Sequence, residues 1–327
     1  MKQSSVTIIV TVYNVESVLE QVLQSIVSQT HAIHEVLLID NRSTDGSVAI
    51  AEKFIRRHTR IPMRIIRRVR TYGISESYNL GAKLAKTKYI VTMHSDSVLP
   101  TRFELAKLME PFEVNPGAYV AAVPVVVHRK KEWDQYNFWQ KCLFAHVVGR
   151  QGHALNGKFD AYKRAVFLSL GGYDTKHFGH MMGSEDADMG FRLQKAGCIA
   201  KTNARVVHMH EKDPAYSLGD WIARRKFLAA SYGRQLQLHA HEMGVFALAP
   251  FFVKPALAIV SLLVIWHWAW ILPLFLFPFV YMRSMFADPR AKRDPRILLL
   301  PFIIIYLVFA ETLWMGYSFA FQRAKGI

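Results

Sequence analysis

The sequence predicts an α/β fold, with a mostly parallel sheet covered by helices, followed by an α-helical transmembrane region. Three observations carry this. Short β-branched runs alternate four times with helical stretches before residue 100. Acids recur just after apolar runs, at Asp40, at Asp96 and at Glu185, Asp186 and Asp188. Beyond about residue 240 the chain turns mostly apolar, with one short basic interruption. Strand–helix alternation implies parallel strands with helices on both faces. Acids placed after such strands suggest a ligand site at their carboxyl ends.

Val6 to Val12 is a β-branched run suited to a buried parallel strand. Ser17 to Ser28 has a helical rhythm, with Val18, Leu19, Val22, Leu23, Ile26 and Val27 on the apolar side. Glu35 to Asp40 is the second strand, the turn Asn41–Gly46 follows, and Ser47 to Arg57 is helical. Arg64–Val69 is a third strand, Gly73–Ala85 a helix and Tyr89–Met93 a fourth strand. From 100 to 183 the pattern is less regular, apart from a strand over Tyr119–Val127. Ser184 reads as the cap of a helix that runs through Met189–Ala196 and stops at Gly197, its first turn rich in acid.

The globular part is expected over residues 1–215, an amphipathic interfacial segment over 216–244, and transmembrane helices, two or three spans, over 245–327. In the interfacial segment Trp221, Leu228, Tyr232 and Leu236 fall at helical spacing beside Arg224, Arg225, Lys226 and Arg234. Val245–Met282 is too long for one span of about 20 residues. Pro255 and Trp266-His267-Trp268 divide it into spans near 246–265 and 268–283. Residues 283–296 carry five basic and two acidic residues and are expected on the cytoplasmic side. Ile297–Phe321, interrupted by Glu311, is a third apolar segment that could span or lie at the interface.

Of the 327 residues, 51% are hydrophobic, and 41 Lys and Arg face 25 Asp and Glu, a net charge of +16. There is no zinc-finger spacing and no RNA-binding signature, so the reading excludes nucleic acid and assigns the charge to anionic membrane lipids and cytoplasmic loops. Cys142 and Cys198 form no metal motif and read as buried thiols in a reducing compartment. Met1-Lys2-Gln3 leads into a short strand rather than a signal peptide, so the catalytic part is expected in the cytoplasm, at the inner (plasma) membrane.

Four pieces, taken in order, resemble a family 2 glycosyltransferase of GT-A type. They are Thr11-Val12-Tyr13-Asn14; Asp40 to Gly46; Gly73, Asn79 and Gly81 with His94-Ser95-Asp96; and Gly171-Gly172-Tyr173-Asp174 leading to Glu185-Asp186 and Val206-Val207-His208. The resemblance implies donor contacts from Tyr13, Asn14, Asp40, Arg70 and Ser95, with Asp40 and Tyr13 toward the nucleotide base. It also implies a divalent metal, Mg2+ or Mn2+, on Asp96. His94 stands where the family's first metal-motif Asp would be. His208 is a further candidate ligand, with His210 its rival. Asp186 would deprotonate the acceptor hydroxyl, with Glu185 beside it, and the anomeric configuration would invert.

The substrates implied are a nucleotide-sugar donor and a lipid-linked, polyprenyl-diphosphate saccharide acceptor. The apolar tail is similar to that of bacterial exopolysaccharide transferases of the succinoglycan type. A polyprenyl-phosphate sugar synthase is the nearest alternative. A weakly active, transferase-like membrane scaffold is the alternative from another class. No Q-x-x-R-W marks a processive synthase. Trp133, Trp139 and the run 146–153 are candidate acceptor-side residues.

Overall fold

The computed structural model describes residues 4–129, 133–153, 155–178, 183–209, 213–263 and 267–321. The chain divides into two compact units, Met1–Arg129 with Gly149–Glu211, and Lys130–Val148 with Lys212–Ile327.

The first unit is built on a nine-stranded sheet ordered β3-β2-β1-β4-β8-β6-β9-β5, with β7 beside β6. The strands are β1 (Val6–Val12), β2 (Ile33–Asp40), β3 (Met63–Arg67), β4 (Tyr89–His94), β5 (Ser97–Val98), β6 (Tyr119–Val127), β7 (Gln151–His153), β8 (Phe159–Lys163) and β9 (Cys198–His208). The first four pair in parallel, as their β-branched runs require. The sheet then becomes mixed, because β8 runs antiparallel to both β4 and β6, while β6 and β9 are parallel. The irregular region after residue 100 therefore supplies the strands that extend the sheet past β4.

Side chains alternate across the pleat. Val6, Ile8, Val10 and Val12 of β1 enter one core with Leu19, Val22, Leu105 and Leu108. Ile9 enters the other, with Tyr78, Phe167, Met189 and Leu193. β2 divides the same way, Val36 and Leu38 to one face and Leu37 and Ile39 to the other. This period of two is the strand geometry itself. Each such side chain, removed from water, contributes about 1.5–3 kcal/mol. The first core lies under α1 (Leu19–Val27), α2 (Ser47–Arg57) and α4 (Glu104–Val114), the second under α3 (Ile74–Leu84) and the helix Glu185–Ala196. Gly81 lets α3 lie close to the sheet, since a Cβ there would meet Ile9 Cγ2 at 2.3 Å.

The second unit is helical, with Phe138–Phe144, Leu218–His239, Val245–Leu262, Leu272–Tyr281 and Leu300–Phe321 as its larger helices. Its core gathers Trp133, Phe138, Trp221, Met282, Met285, Leu300, Ile304 and Leu307. Leu218–His239 opens on a reciprocal cap: Ser217 Oγ accepts from Asp220 N, and Asp220 Oδ2 accepts from Ser217 N at 2.9 Å. Trp221, Arg225, Ala229, Arg234 and Leu236 of this helix are buried, and it packs along Leu300–Phe321. Gly233 permits that approach, because a Cβ there would sit 2.2 Å from the Met315 carbonyl oxygen.

Among the described residues, one helix is long and apolar enough to cross a membrane, Pro295–Phe321, the segment whose placement the sequence left open. Phe302, Tyr306, Leu313 and Tyr317 are exposed along one side of it, and Ile304, Leu307, Val308 and Glu311 are buried on the other. Within the predicted spans 246–265 and 268–283 the described residues form shorter apolar helices, Phe251–Leu262 and Trp268–Tyr281. Of the cysteines, Cys142 is buried as expected but Cys198, at the start of β9, is exposed.

Candidate active site

The carboxyl ends of β1, β2 and β4 place the predicted donor residues along one edge of the sheet. Tyr13 follows β1 and is half exposed. Asn14 adopts a left-handed conformation, φ 49°, which an Asn tolerates. Its Oδ1 accepts from Thr44 N at 2.8 Å, and its own N–H donates to Ser43 Oγ at 3.1 Å. Asp40, buried at the end of β2, accepts from Ser43 N at 3.1 Å. The loop 41–46 is thus tied to the turn after β1. Asp45 has a structural part in this, accepting from Glu16 N and Ser47 N at 3.0 Å each. Ser95 is buried just after β4. Arg70 lies exposed past β3, its guanidinium 4.7 Å from the Tyr72 ring centre.

Asp96, His94 and His208 come together. The two-residue strand β5 pairs with β9, opposing Ser97 to His208, and Met209 N donates to the Asp96 carbonyl at 2.7 Å. This pairing carries His208 Nε2 to 3.0 Å from Asp96 Oδ2 across 112 residues of sequence. His94 Nδ1 lies 3.8 Å from Asp96 Oδ1. One ligand atom from each of the three falls within 4.8 Å of the others. Burial and the positive charge of Lys158 push the His94 imidazole down to about 3, so its nitrogens keep a lone pair. Burial raises Asp96, but His208, His94 and Lys158 outweigh it and hold the carboxylate well below its ordinary range. A carboxylate with two imidazoles is a donor set that fits a divalent first-row cation. His210, the rival ligand, lies outside the described residues.

The acidic helix faces the same cleft, which is lined by His94, Asn156 and Gly157, and by Tyr173, Glu185 and Asp186. Burial raises the pKa of Asp186, opposed by the Ala187 N–H, which its Oδ1 accepts at 2.7 Å, and by Lys158. Ser184 does not cap this helix through its side chain. It sits at φ 70° and its carbonyl accepts from Asp188 N at 2.9 Å. Asp188 is structural: its Oδ2 accepts from Arg192 Nε at 2.9 Å, and Arg192 Nη1 donates to the carbonyls of Leu170 and Gly172. That clamp fixes the helix start against the turn Gly171-Gly172. Asn79 holds the turn from α3, donating to the Tyr173 carbonyl and accepting its N–H, both at 2.8 Å. Gly172 has φ 73°, and a Cβ there would meet Asn79 Oδ1 at 2.3 Å.

Asp160 and Lys158 escaped the sequence reading. Asp160 is fully buried on β8, and its Oδ2 accepts from Asn156 N at 2.8 Å and Gly157 N at 2.5 Å. Burial pushes it up to about 7 against those two donors. The usable signal was an acid inside the apolar run Phe159–Tyr162, since a buried carboxylate is rare without a task. Trp133 and Trp139, predicted near the acceptor, belong instead to the core of the second unit. Trp133 Nε1 donates to Asp288 Oδ2 at 2.7 Å, and Trp139 stacks on Trp221 with ring centres 6.0 Å apart. His153 bonds the Thr202 carbonyl from β7 at 2.9 Å.

The profile of Glycosyl transferase family 2 matches residues 7–171, half of the chain. The chain belongs to glycosyltransferase family 2. Asp40 and Asp96 lie within the matched stretch, whereas Asp186 and His208 lie beyond it. Among characterised relatives, glycosyltransferase GlyG of Streptococcus pneumoniae is 29% identical over 94 residues, 29% of this chain and 31% of that protein. Cholesterol galactosyltransferase of Borreliella burgdorferi is 32% identical over 178 residues, 53% of this chain and 44% of that protein. The matched stretches thus span less than half of either relative. The mannosyltransferase PcManGT of Pyrobaculum calidifontis, solved with GDP-Man and Mn2+, has a similar fold. It superposes with a TM-score of 0.60 at 15% identity, over 99% of this chain and 89% of that one. The chain thus carries a GT-A-type domain of glycosyltransferase family 2 and, among the described residues, one helix long and apolar enough to span a bilayer.

Proposed function

We propose that this glycosyltransferase transfers a sugar, with inversion, from a nucleotide-sugar donor to a lipid-linked saccharide, and does so at the cytoplasmic face of the inner membrane. The observation that carries the reading is the sheet-edge cleft itself. Its His94 wall belongs to the His94–Asp96–His208 set, and Asp186 lines the same cleft. Asp40, Asn14 and Tyr13 hold the donor base side, with Ser95 beside the diphosphate and Arg70 reaching in from the turn after β3. A divalent cation, Mg2+ or Mn2+, would be held by Asp96 with His208 and His94, and when bound supplies charge neutralisation for the departing diphosphate.

Asp186 takes the proton from the acceptor hydroxyl. The freed oxygen forms the new bond to the anomeric carbon as the bond to the nucleoside diphosphate breaks on the opposite side. The raised pKa of Asp186 suits a base that must work near neutrality. Glu185 orients the acceptor. Lys158, close enough to act electrostatically on His94, Asp96 and Asp186, joins the charge balance of the cleft.

Support for the membrane comes from Pro295–Phe321 and the basic residues that precede it. A lipid acceptor also agrees with the Borreliella relative, whose named acceptor is cholesterol. The test is release of nucleoside diphosphate by the purified full chain from a panel of UDP- and GDP-sugars, with Mn2+, Mg2+ or EDTA. Acceptor-stimulated release from at least one donor, abolished by EDTA, is expected. Release that is indifferent to EDTA would remove the metal reading, and no release from any donor with polyprenyl-diphosphate saccharides would remove the acceptor reading.

A further inference from the structure

Within the second unit, three ionisable side chains meet in apolar surroundings. Glu311, on the Pro295–Phe321 helix, accepts from Arg225 Nε at 2.7 Å and from Arg225 Nη2 at 3.0 Å, a two-pronged pairing. It also accepts from Lys254 of the helix Val245–Leu262. The side chains of Arg225, Glu311 and Lys254 are 10%, 9% and 17% exposed. Two cations share one carboxylate, and among the described residues lining the adjoining cavity no other carboxylate occurs. The cluster therefore carries one positive charge in excess.

That cavity, about 250 Å³, is walled by Phe251, Phe277, Tyr232 and Met315 beside the three ions. Both cations lie over the Tyr281 ring, Lys254 Nζ at 5.0 Å and Arg225 Cζ at 5.7 Å from its centre. An ionisable group in a membrane-associated unit is costly and marks a ligand path or a partner. Here the excess is positive and the walls are apolar, so the ligand that completes the site is an amphiphile with an anionic head. Phosphate answers the Lys254 ammonium, a compact point charge, while the Arg225 fork is engaged by Glu311. An ammonium has three donors, and Glu311 accepts from one.

We propose that this cavity binds the phosphate end of a polyprenyl phosphate or diphosphate. Lys254 contacts the phosphate oxygens, the Arg225–Glu311 pair holds the wall, and the isoprenoid chain runs along the aromatic lining. The inference rests on the lipid-linked acceptor reading above and gives that acceptor's carrier a place.

The test uses the full chain in phosphatidylcholine nanodiscs, titrated with undecaprenyl phosphate, undecaprenol, phosphatidylglycerol and inorganic phosphate, with binding read by native mass spectrometry. Undecaprenyl phosphate should bind at least tenfold more tightly than the other three. Lys254→Met should weaken it tenfold or more, and Lys254→Arg should restore it. Unchanged binding in Lys254→Met, or phosphatidylglycerol bound equally well, would overturn the site. Should Lys254→Met not fold, the wild-type protein still decides. Undecaprenyl phosphate, and not undecaprenol, should protect Lys254 from acetic anhydride, and equal acetylation would overturn the proposal. Sugar transfer to a polyprenyl-linked acceptor without any dependence on Lys254 would leave the acceptor reading standing and remove this site. Phosphate-dependent binding at Lys254, without transfer to any polyprenyl-linked acceptor, would do the reverse.

Discussion

Two clusters in this molecule have the same plan, a carboxylate between two nitrogen bases. At the sheet edge Asp96 lies between His94 and His208, and in the helical unit Glu311 lies between Arg225 and Lys254. They are suited to ligands of opposite charge. A neutral imidazole offers a lone pair and can ligate a cation. A guanidinium or an ammonium has only N–H donors, so a cluster built on them answers an anion. The nature of the base, rather than the arrangement of charges, sets the sign of the ligand. The means of assembly differ too. Strand pairing of β5 with β9 builds the first, and side chains from three helices build the second.

The largest expected effect separates the sheet-edge cluster from the base beside it. Asp186→Asn should lower turnover by about 10²–10⁴, roughly 3–5 kcal/mol in the barrier, with donor affinity nearly intact. Near wild-type turnover at saturating acceptor, with Glu185→Gln impaired instead, would move the base to Glu185.

The next concerns the acid that belongs to neither cluster. Asp160 is raised to about 7 in the folded protein, from an ordinary carboxylate value when unfolded. The folded state then holds a proton that the unfolded state has lost, so wild-type stability should fall as pH rises from about 4 to about 7. The cost above that window is of order 4 kcal/mol at most. Asp160→Asn removes the titrating group and keeps an acceptor for Asn156 and Gly157. Its unfolding free energy should exceed that of wild type at pH 8, with the gap closing toward pH 5. A constant gap across that range would show that Asp160 is ionised in the fold.

The smallest effect tests the comparison directly. His208→Lys keeps a nitrogen base in reach of Asp96 but replaces a lone pair with donors. Affinity for Mn2+ should drop about 10–100-fold, the range seen when a metal site loses a supporting contact. Manganese binding by calorimetry reads it, and unchanged affinity would mean that His208 neither ligates the ion nor orients Asp96.

Local pattern made the first half of the fold legible. The ends of β1, α2 and β6 fall where the β-branched runs and helical spacings place them. The acids after β2 and β4 were visible for the same reason, since each closes an apolar run. What escaped depends on distant partners. Nothing near Trp133 shows its bond to Asp288, 155 residues away. The amphipathic reading of Leu218–His239 grouped Arg225 with Arg224, Lys226 and Arg234, whereas its guanidinium is buried on Glu311, 86 residues on.

The strand β5 is only two residues long, yet it closes the site. Asp96 is made early in synthesis, and its partner His208 follows 112 residues later, on the last strand in chain order. Domains fold as the chain leaves the ribosome, N-terminal segments first. A nascent chain can therefore complete β1 to β4 while the Asp96–His208 pair is still open. Under the proposed function, competence to use a nucleotide-sugar donor would arrive only with β9, in one step.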